Sequence, residues 1–363
     1  MDIKMVATVL LTTISGVAYG QSSVTLYGIV DTGLSYYNNA TSKGGSVYAM
    51  SSLTGEVPSR WGLKGSEDLG HGYKAFFVLE NGFLPNSGAL GYGGRLFGRQ
   101  ANVGVSSSGY GSITLGRQIN MTIYTIAKAD LIGPSVHALS NLDPYLPNAR
   151  SDNAIGYMGT FSGWTVGGTY SFGRDAAGPA GPSATNCAGE IAGNFQACKQ
   201  YTAMLAYDEK NFGVAASYDT MRGGAGASAP LTISSYTNTH NIVDAYFKTD
   251  KAKFGIGWVR DNVAAAVHLQ SDIFFVNGTY FLTPALSFDT QAARYVQRGS
   301  GEDSNATMLV GRANYHLSPR TTLYSSVGYV FNSATSAKAI AVGGTVGTGM
   351  NQLGVAVGIQ QAF

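Results

Sequence analysis

Apolar and polar residues alternate along most of the chain after its first twenty positions. Within residues 352–363, Val355, Val357 and Ile359 share one parity, while small or polar residues fill most of the other. Successive side chains of a β-strand point to opposite faces, so this period of two predicts strands with one apolar face. No helical period is sustained beyond the first twenty residues, which indicates an all-β fold. The same alternation recurs at 60–66, 164–172, 212–219 and 252–258.

Polar segments that contain Gly, Pro or charged residues interrupt the alternation at two kinds of spacing. Tight turns are expected near 67–70, 108–109, 162–163, 209–210, 250–251, 283–284 and 318–319. Longer connections are expected near 38–57, 83–94, 119–150, 173–198, 220–239, 262–268, 297–304 and 332–350. Short turns that alternate with long connections predict about sixteen strands in an up-and-down meander. An even strand number places both termini at the short-turn end, where the last strand can pair with the first.

Alternation alone does not distinguish a soluble β-sandwich from a membrane barrel, because both have one apolar face. Strands of about ten residues are long enough to cross a bilayer at a tilt. Aromatic residues such as Trp164 and Phe172 lie near strand ends, as in an interfacial girdle. A sheet of about sixteen strands would also aggregate through its edges unless it closed on itself. We therefore predict a transmembrane antiparallel β-barrel with short periplasmic turns and long extracellular loops.

Residues 1–20 have the pattern of a secretory signal peptide. Lys4 precedes an apolar stretch over 5–11, and small residues around Ala18 and Gly20 end the segment. We expect export and cleavage after Gly20, which leaves 21–363 as one barrel domain. No later segment reaches about 18 consecutive apolar residues, so no transmembrane helix is expected there.

Composition narrows the possible functions. The chain has 23 Lys+Arg and 21 Asp+Glu, and charged residues make up only 12% of it. No basic stripe could neutralise a row of phosphates, so no nucleic-acid partner is expected. The five histidines are scattered without metal-ligand spacing, and no Gly-x-Gly-x-x-Gly motif opens a helix. We therefore expect neither a metal ion nor a cofactor.

The two cysteines, Cys187 and Cys198, lie in the same Gly- and Ala-rich connection. In an oxidising, exported location we expect them to form a disulfide that closes a short surface ring. A metal site is the less favoured alternative, because no histidine lies nearby in the sequence.

Several short motifs resemble those of general-diffusion porins of the β-proteobacterial type. Residues 23–34 (SVTLYGIVDTGL) resemble the first strand of these porins, and 59–70 (SRWGLKGSEDLG) the second strand and first turn. Residues 97–101 (FGRQA) and 110–118 (YGSITLGRQ) are similar to the pair of strands that precedes the constriction loop in these porins. The terminal Phe363 matches the family's C-terminal aromatic residue. The resemblance extends over the whole chain, including residues 1–20.

The resemblance implies a sixteen-stranded homotrimer in outer-membrane lipid that passes small hydrophilic solutes and ions passively. It also implies that the outer-membrane assembly machinery recognises Phe363. The long, rather apolar connection at 118–150 would fold into the lumen as the constriction loop. One departure concerns residues 153–157, where related porins often have a basic residue at the position of Gly156. Its absence weakens the expected ladder of anion-attracting residues.

Candidate basic residues of the pore follow from strand parity and from the resemblance. Arg60 and Lys64 share the polar parity of the second strand, and Lys74 lies on the third. Arg99 joins them by its match to the family motif. Arg117 shares parity with apolar residues instead, and we therefore expect it at a subunit interface.

Candidate acidic residues would lie on the opposite side of the constriction. Asp130 and Asp143 belong to the connection at 118–150, and Glu80 shares the inward parity of Lys74. Facing rows of opposite charge would create a transverse field that orders water and favours dipolar solutes. The alternative is that these charged side chains only keep the lumen hydrated and form ion pairs with each other.

The function that this sequence favours is a non-enzymatic diffusion channel in the outer membrane, with a weak preference for anions. A substrate-specific channel is the main alternative. A barrel-scaffold enzyme is less favoured, since no Ser/His/Asp constellation can be identified in the sequence. A secreted β-rich adhesin would have to be soluble, which the apolar strand faces disfavour.

Overall fold

The computed structural model describes residues 23–299 and 302–363; the predicted signal peptide, residues 1–20, lies outside them. In this part of the chain, sixteen antiparallel strands form a closed barrel, and one four-residue strand, β2, lies in the first long loop. This confirms the predicted fold class. The strands are β1 (Ser23–Tyr37), β2 (Val47–Met50), β3 (Arg60–Gly70), β4 (Tyr73–Gly82), β5 (Gln100–Ser107), β6 (Gly111–Ile119), β7 (Arg150–Phe161), β8 (Trp164–Ser171), β9 (Gln200–Asp208), β10 (Phe212–Arg222), β11 (Thr237–Lys248), β12 (Ala252–Ala264), β13 (His268–Thr283), β14 (Leu286–Arg298), β15 (Ala306–Ser318), β16 (Thr321–Asn332) and β17 (Gln352–Ala362).

The barrel closes between its first and last strands. The first half of β1 pairs with β3, and its second half pairs with β17 and β2. Phe363 and Gly28 complete the seam by exchanging two backbone hydrogen bonds of 3.0 Å. A Cβ at Gly28 would lie 2.4 Å from the Phe363 ring, so only glycine allows this close approach. The start of β1 and the C-terminal Phe363 therefore lie at the short-turn end of the barrel.

The alternation of the sequence corresponds to the two faces of the barrel wall. Val355, Val357 and Ile359 of β17 are 39%, 50% and 45% exposed, while Ala356 between them is 2% exposed. In a β-sandwich the large apolar residues would be the buried ones. Here the outward parity is apolar and the inward parity is small or polar, as in a barrel that lipid surrounds.

Seven short turns of two or three residues alternate with eight connections in the predicted order. Seven of these connections are longer than the turns, and the sixth has only three residues. We number the eight connections L1 to L8. They comprise residues 38–59, 83–99, 120–149, 172–199, 223–236, 265–267, 299–305 and 333–351.

Loop L3 lies inside the barrel. It contains helix α1 (Met121–Ala129) and two 3₁₀ turns, Leu139–Asn141 and Leu146–Asn148. The Asn120 side chain caps α1 by accepting the N–H of Thr122. The main apolar core lies between L3 and the inner wall, so apolar inward residues are concentrated beneath this loop. Its members include Ile126, Ile132, Leu139 and Leu142 of the loop and Ile242, Val259, Ile273 and Met308 of the wall. Among the described residues, no helix is long and apolar enough to cross a membrane.

Candidate pore constriction

Three arginines lie on one side of the barrel interior. Arg60 begins β3, Arg99 immediately precedes β5, and Arg150 begins β7. All three strands run away from the long-loop end, which brings their first residues to neighbouring positions. The Nε–H of Arg150 donates to the backbone oxygen of Arg99 at 3.1 Å. We call these three arginines the basic wall.

Glu80 lies within the basic wall. Its Oε1 accepts from Arg99 Nε at 2.6 Å, and its Oε2 lies 3.9 Å from Arg60 Nε. The Tyr27 hydroxyl donates to Oε2 at 2.9 Å. The sequence placed Glu80 on the acidic side of the constriction, and this placement is wrong, because strand register brings it beside the arginines. Glu80 offsets one of their three charges.

Tyr92 of L2 separates two of the three guanidinium groups. Its hydroxyl accepts from Arg99 Nη1 at 2.6 Å. The guanidinium carbons of Arg99 and Arg150 lie 5.6 and 4.9 Å from its ring centroid. A Cβ at Gly82 would lie 2.4 Å from the ring, so a glycine makes room for it. The aromatic ring allows two like charges to lie close together through cation–π contacts.

L3 faces the basic wall across a cavity of about 210 Å³. Asp130, the residue after α1, is the single acidic residue among the described residues that line this cavity. Its Oδ1 accepts the N–H of Gly133 at 3.0 Å and Gln291 Nε2 at 2.8 Å. Burial raises the pKa of the Asp130 carboxyl above its ordinary value, although these donors oppose the shift. The remaining loop residues of the lining are mostly apolar: Ile123, Ile126, Ala127, Gly133, Pro134, Ser140, Leu146 and Pro147.

A buried carboxylate fixes the two ends of L3 to the wall. Asp219 of β10 is 0% exposed. Its Oδ2 accepts from the Thr122 hydroxyl at 2.8 Å and from the Tyr145 hydroxyl at 2.5 Å. Its Oδ1 accepts from Gln200 Nε2 at 2.9 Å. One wall residue therefore bonds the start of α1 and the far end of the loop together.

Arg312 of β15 holds the middle of L3. It pairs with Asp289 at 2.8 Å, and its Nη groups donate to the backbone oxygens of Ile132 and Leu131 at 3.2 and 3.4 Å. The guanidinium thus satisfies carbonyl groups of irregular backbone that would otherwise be buried unpaired. Polar contacts therefore anchor L3 to the inner wall at several points around the barrel.

Asp143 also anchors L3 to the barrel wall. It is not among the described residues that line the cavity. It is 8% exposed, its Oδ2 lies 3.0 Å from His240 Nε2, and its Oδ1 accepts the N–H of Tyr145 at 2.9 Å. The expectation that Asp143 forms the acidic side of the constriction is therefore wrong. The loop path turns this carboxylate towards the wall, where it meets a histidine.

The two lysines lie farther towards the short-turn end. Lys64 is exposed, with its Nζ 5.2 Å from the centroid of the Tyr27 ring. Lys74 is six residues from Glu80 on β4, which corresponds to about 20 Å along a strand. Strand parity places both on the inner face, but neither lines the cavity at L3.

Arg117 is buried within a single chain. It is 8% exposed, its Nε–H donates to the oxygen of Gly98 at 2.8 Å, and it pairs with Asp152. The prediction of a subunit-interface residue is therefore wrong. β6 pairs regularly with β5 through Arg117, and the register shift in its pairing with β7 reflects an extra residue in β7. Gly98 of L2 and Asp152 cover the Arg117 side chain, so its parity with the exposed Ile113 and Leu115 did not leave it exposed.

Two further sequence features have clear positions. A disulfide joins Cys187 and Cys198 in L4.

Gly156, where related porins often have a basic residue, leaves space that the side chain of Gln118 fills. A Cβ at Gly156 would lie 2.1 Å from Gln118 Oε1. A larger side chain at this position would displace the glutamine.

Sequence reasoning missed Arg150, Tyr92 and Arg312. Arg312 shares parity with Val310 and Asn314, which are buried, and opposes the exposed Leu309 and Tyr315. That parity was a signal that could have assigned Arg312 to the inner face. Arg150 and Tyr92 carried no such signal, because a register shift in β7 separates Arg150 from the regular alternation and Tyr92 belongs to a loop whose path the pattern does not predict.

Three potential metal ligands meet where L3 touches β11 and β12. Ligand atoms of Asp143, His240 and Asp261 all lie within 4.8 Å of one another, an arrangement that sequence spacing did not show. His240 Nε2 lies 3.0 Å from Asp143 and 3.7 Å from Asp261. The carboxylates of both acids also interact with the ammonium of Lys338. Ion pairing accounts for this cluster, and a divalent cation would have to lie beside that ammonium.

The chain matches the family model described as Gram-negative porin over residues 7–335. The chain belongs to the Gram-negative porin family. This porin is 34% identical to an outer membrane porin protein of Bordetella pertussis over 237 residues, 61% of this chain and 60% of that protein. It is 29% identical to outer membrane porin protein 32 of Delftia acidovorans over 371 residues, 96% of each chain. Its fold is similar to that of an anion-selective porin from Comamonas acidovorans, with a TM-score of 0.77 and 25% identity over 94% of this chain and 100% of that chain.

This membership places the porin in the outer membrane. The short turns of such barrels face the periplasm and the longer loops face outwards. The basic wall and L3 therefore lie below the extracellular mouth, where a solute that enters from outside would meet them.

Proposed function

We propose that this porin is a water-filled diffusion channel for small hydrophilic solutes and ions that favours anions at its constriction. The observation that carries the proposal is the unequal lining of the cavity at L3. Arg60, Arg99 and Arg150 face it from the wall, whereas Asp130 is its single acid among the described residues. With Glu80 behind the arginines, the constriction keeps a net positive charge.

The geometry supports selection by charge and size together. The apolar residues of L3 narrow the lumen and reduce the water near the arginines, so the field of the guanidinium groups is less screened there. An anion that loses part of its hydration in the narrowing gains attraction from the basic wall, while a cation is repelled. Passage follows the solute gradient and requires neither a catalytic residue nor a cofactor.

Substitution of Arg150 tests this assignment. We expect Arg150→Gln to lower the chloride-to-potassium permeability ratio about fivefold, taking about 1 kcal/mol for the loss of one unit charge about 4 Å from the ion. The measurement is the reversal potential of purified protein in a planar bilayer under a KCl gradient.

Lys74→Gln is the control. It removes the same charge from the lumen about 20 Å away, beyond the Debye length of about 10 Å at 0.1 M salt, and should change the ratio far less. A cation preference of the unaltered channel, or equal effects of both substitutions, would contradict the assignment of the basic wall.

We also propose that the channel assembles as a homotrimer in outer-membrane lipid. This part of the proposal rests on the resemblance to trimeric diffusion porins and on the apolar outer surface of the barrel. Insertion of single complexes in the same bilayer recording should give conductance steps in groups of three. Single independent steps from protein that is folded would contradict the trimer.

A further inference from the structure

Three arginines lie on the outer, not the inner, face of the barrel. Arg260 of β12 has the parity of Phe254 and Ile256, which are 53% and 60% exposed. Arg294 and Arg298 of β14 have the parity of the exposed Phe288. Asp272 of β13 likewise has the parity of the exposed Phe274 and Val276, whereas Ile273 and Phe275 between them are buried. We call Arg260, Arg294, Arg298 and Asp272 the outer arginine patch.

The patch lies at the upper edge of the apolar surface. On β13, the outward residues from Tyr280 to Phe274 form part of the exposed apolar band, and Asp272 is the next outward residue towards L6. On β12, Trp258 ends the apolar series, and Arg260 follows it. A tryptophan between apolar and charged residues is typical of the membrane–water interface. Because L6 is on the extracellular side, the patch lies at the headgroups of the outer leaflet.

Asp272 holds the arginines in place. Its Oδ1 accepts from Arg260 Nε at 2.8 Å and from Trp258 Nε1 at 2.9 Å, and its Oδ2 accepts from Arg298 Nε at 2.5 Å. The Asp272 side chain is 0% exposed, while that of Arg298 remains 52% exposed. A guanidinium carries five N–H donors, and Asp272 engages one of those of Arg298. The carboxylate thus orients two guanidinium groups that remain accessible.

The patch keeps a positive charge. Arg294 donates to the Thr307 hydroxyl at 2.8 Å and interacts electrostatically with Asp303 of L7. Arg260 and Arg298 share the single carboxylate of Asp272, so two guanidinium groups face one negative charge there. An excess of positive charge on a lipid-facing surface is unfavourable unless a counter-charge lies nearby.

We propose that the outer arginine patch binds the phosphate group of a lipid headgroup in the outer leaflet. Guanidinium groups bind phosphate through paired, charge-assisted hydrogen bonds, and basic clusters at membrane surfaces attract anionic headgroups. The exposed Phe274 and Val276 lie below the arginines, where the acyl chains of the same lipid would pack. The patch therefore fits a lipid better than a free anion, which would leave this apolar surface unused.

Trp258 provides a local reporter of binding. Replacing Trp61 and Trp164 with phenylalanine leaves Trp258 as the single tryptophan of the chain. The detergent-solubilised protein is titrated with diphosphoryl lipid A, with the same lipid after removal of its phosphates, and with inorganic phosphate. Native mass spectrometry counts the bound lipid in parallel.

We expect diphosphoryl lipid A to change the Trp258 emission and to bind as a distinct adduct. Arg298→Gln should weaken its binding about fivefold, the contribution of one basic residue near an anionic lipid surface. Arg294→Gln should weaken lipid binding by a similar factor and leaves the contacts of Asp272 intact. This variant replaces Arg298→Gln in the experiment if Arg298→Gln does not fold. Arg320→Gln, in the turn at the opposite end of the barrel, is the control and should bind as the unaltered protein does.

Other outcomes would overturn the proposal. Equal binding of the phosphate-free lipid would show that the apolar surface alone is responsible. Complete competition by an equal concentration of inorganic phosphate would identify a free anion, not a lipid, as the occupant. Emission from Trp258 that is shielded in the oligomer and insensitive to every lipid would show that a second copy of the chain covers the patch.

Discussion

At the scale of single residues, the constriction depends on how like charges are kept close together. Glu80 offsets one arginine, and the Tyr92 ring lies between Arg99 and Arg150. Tyr92 adopts a φ of 52°, a conformation that non-glycine residues seldom take. L2 therefore accepts a strained backbone where it places an aromatic ring against two cations.

The ionisation of Asp130 should make selectivity depend on pH. Because burial raises its pKa, Asp130 takes up a proton as the pH falls before an ordinary aspartate with a pKa of about 3.9 does. Its neutralisation leaves the basic wall less opposed, so the preference for anions should increase as the pH is lowered from about 7. Reversal potentials recorded across this range measure the effect.

Asp130→Asn is the matched comparison for this pH series. The variant should show a stronger anion preference already at neutral pH and a smaller rise on acidification. An identical pH dependence in both proteins would mean that another group titrates.

At the scale of elements, L3 behaves as an inserted layer with an apolar underside. Its buried isoleucines and leucines face the inner wall, and polar anchors fix its ends and middle. Apolar packing is non-directional, whereas the hydrogen bonds to Asp219 specify one position. The anchors therefore set the width of the constriction that the apolar packing alone would leave variable.

Removal of the Asp219 carboxylate should loosen this layer. Asp219→Ala leaves Thr122, Tyr145 and Gln200 without their buried acceptor, at a cost of about 1–3 kcal/mol for each unsatisfied group. We expect noisier single-channel currents and closure at lower voltage, recorded in planar bilayers.

Asp250→Asn, which removes an acid from an exposed turn at the short-turn end, is the control for the Asp219 variant. It should leave channel noise unchanged. Quiet, wild-type-like currents from folded Asp219→Ala would show that the apolar packing positions L3 without this anchor.

At the scale of the whole molecule, closure of the barrel depends on a few residues at one seam. The Phe363 ring covers Gly28, and the two residues exchange backbone hydrogen bonds. The same residue is the proposed signal for the assembly machinery. Barrel closure and recognition by the assembly machinery can be tested separately, because closure can be followed in detergent whereas recognition requires the machinery of the cell.

Phe363→Ala should retain the backbone pairing but lose the aromatic ring. We expect a large loss of folded protein in the outer membrane of cells and a smaller loss of refolding yield in detergent. The fraction that resists unfolding in an unheated gel measures both. Phe331→Ala, which removes an exposed ring near the long-loop end, should affect the two assays alike. Equal losses in cells and in detergent for Phe363→Ala would argue against a recognition role.

The architecture of this protein could be predicted from local sequence patterns. The face of the sheet to which a side chain points is a local property, because neighbouring residues of a strand point to opposite faces. The alternation in β17 and in the other strands, together with the spacing of turns, therefore predicted a closed barrel of about sixteen strands. The same reasoning placed Arg60 on the inner face. Family motifs added Arg99, because their residues could be recognised without knowledge of the fold.

Which charged side chains contact each other depends on the three-dimensional fold and could not be predicted in this way. Glu80 and Asp143 were placed across the constriction, yet register brings one to the arginines and the loop path brings the other to His240. Arg117 is covered by Gly98 of L2 and by Asp152, residues that its strand parity does not reveal. Arg150 joined the basic wall through a contact with Arg99, a residue fifty-one positions away. Such pairings depend on loop paths and register between distant segments, which a local pattern does not contain.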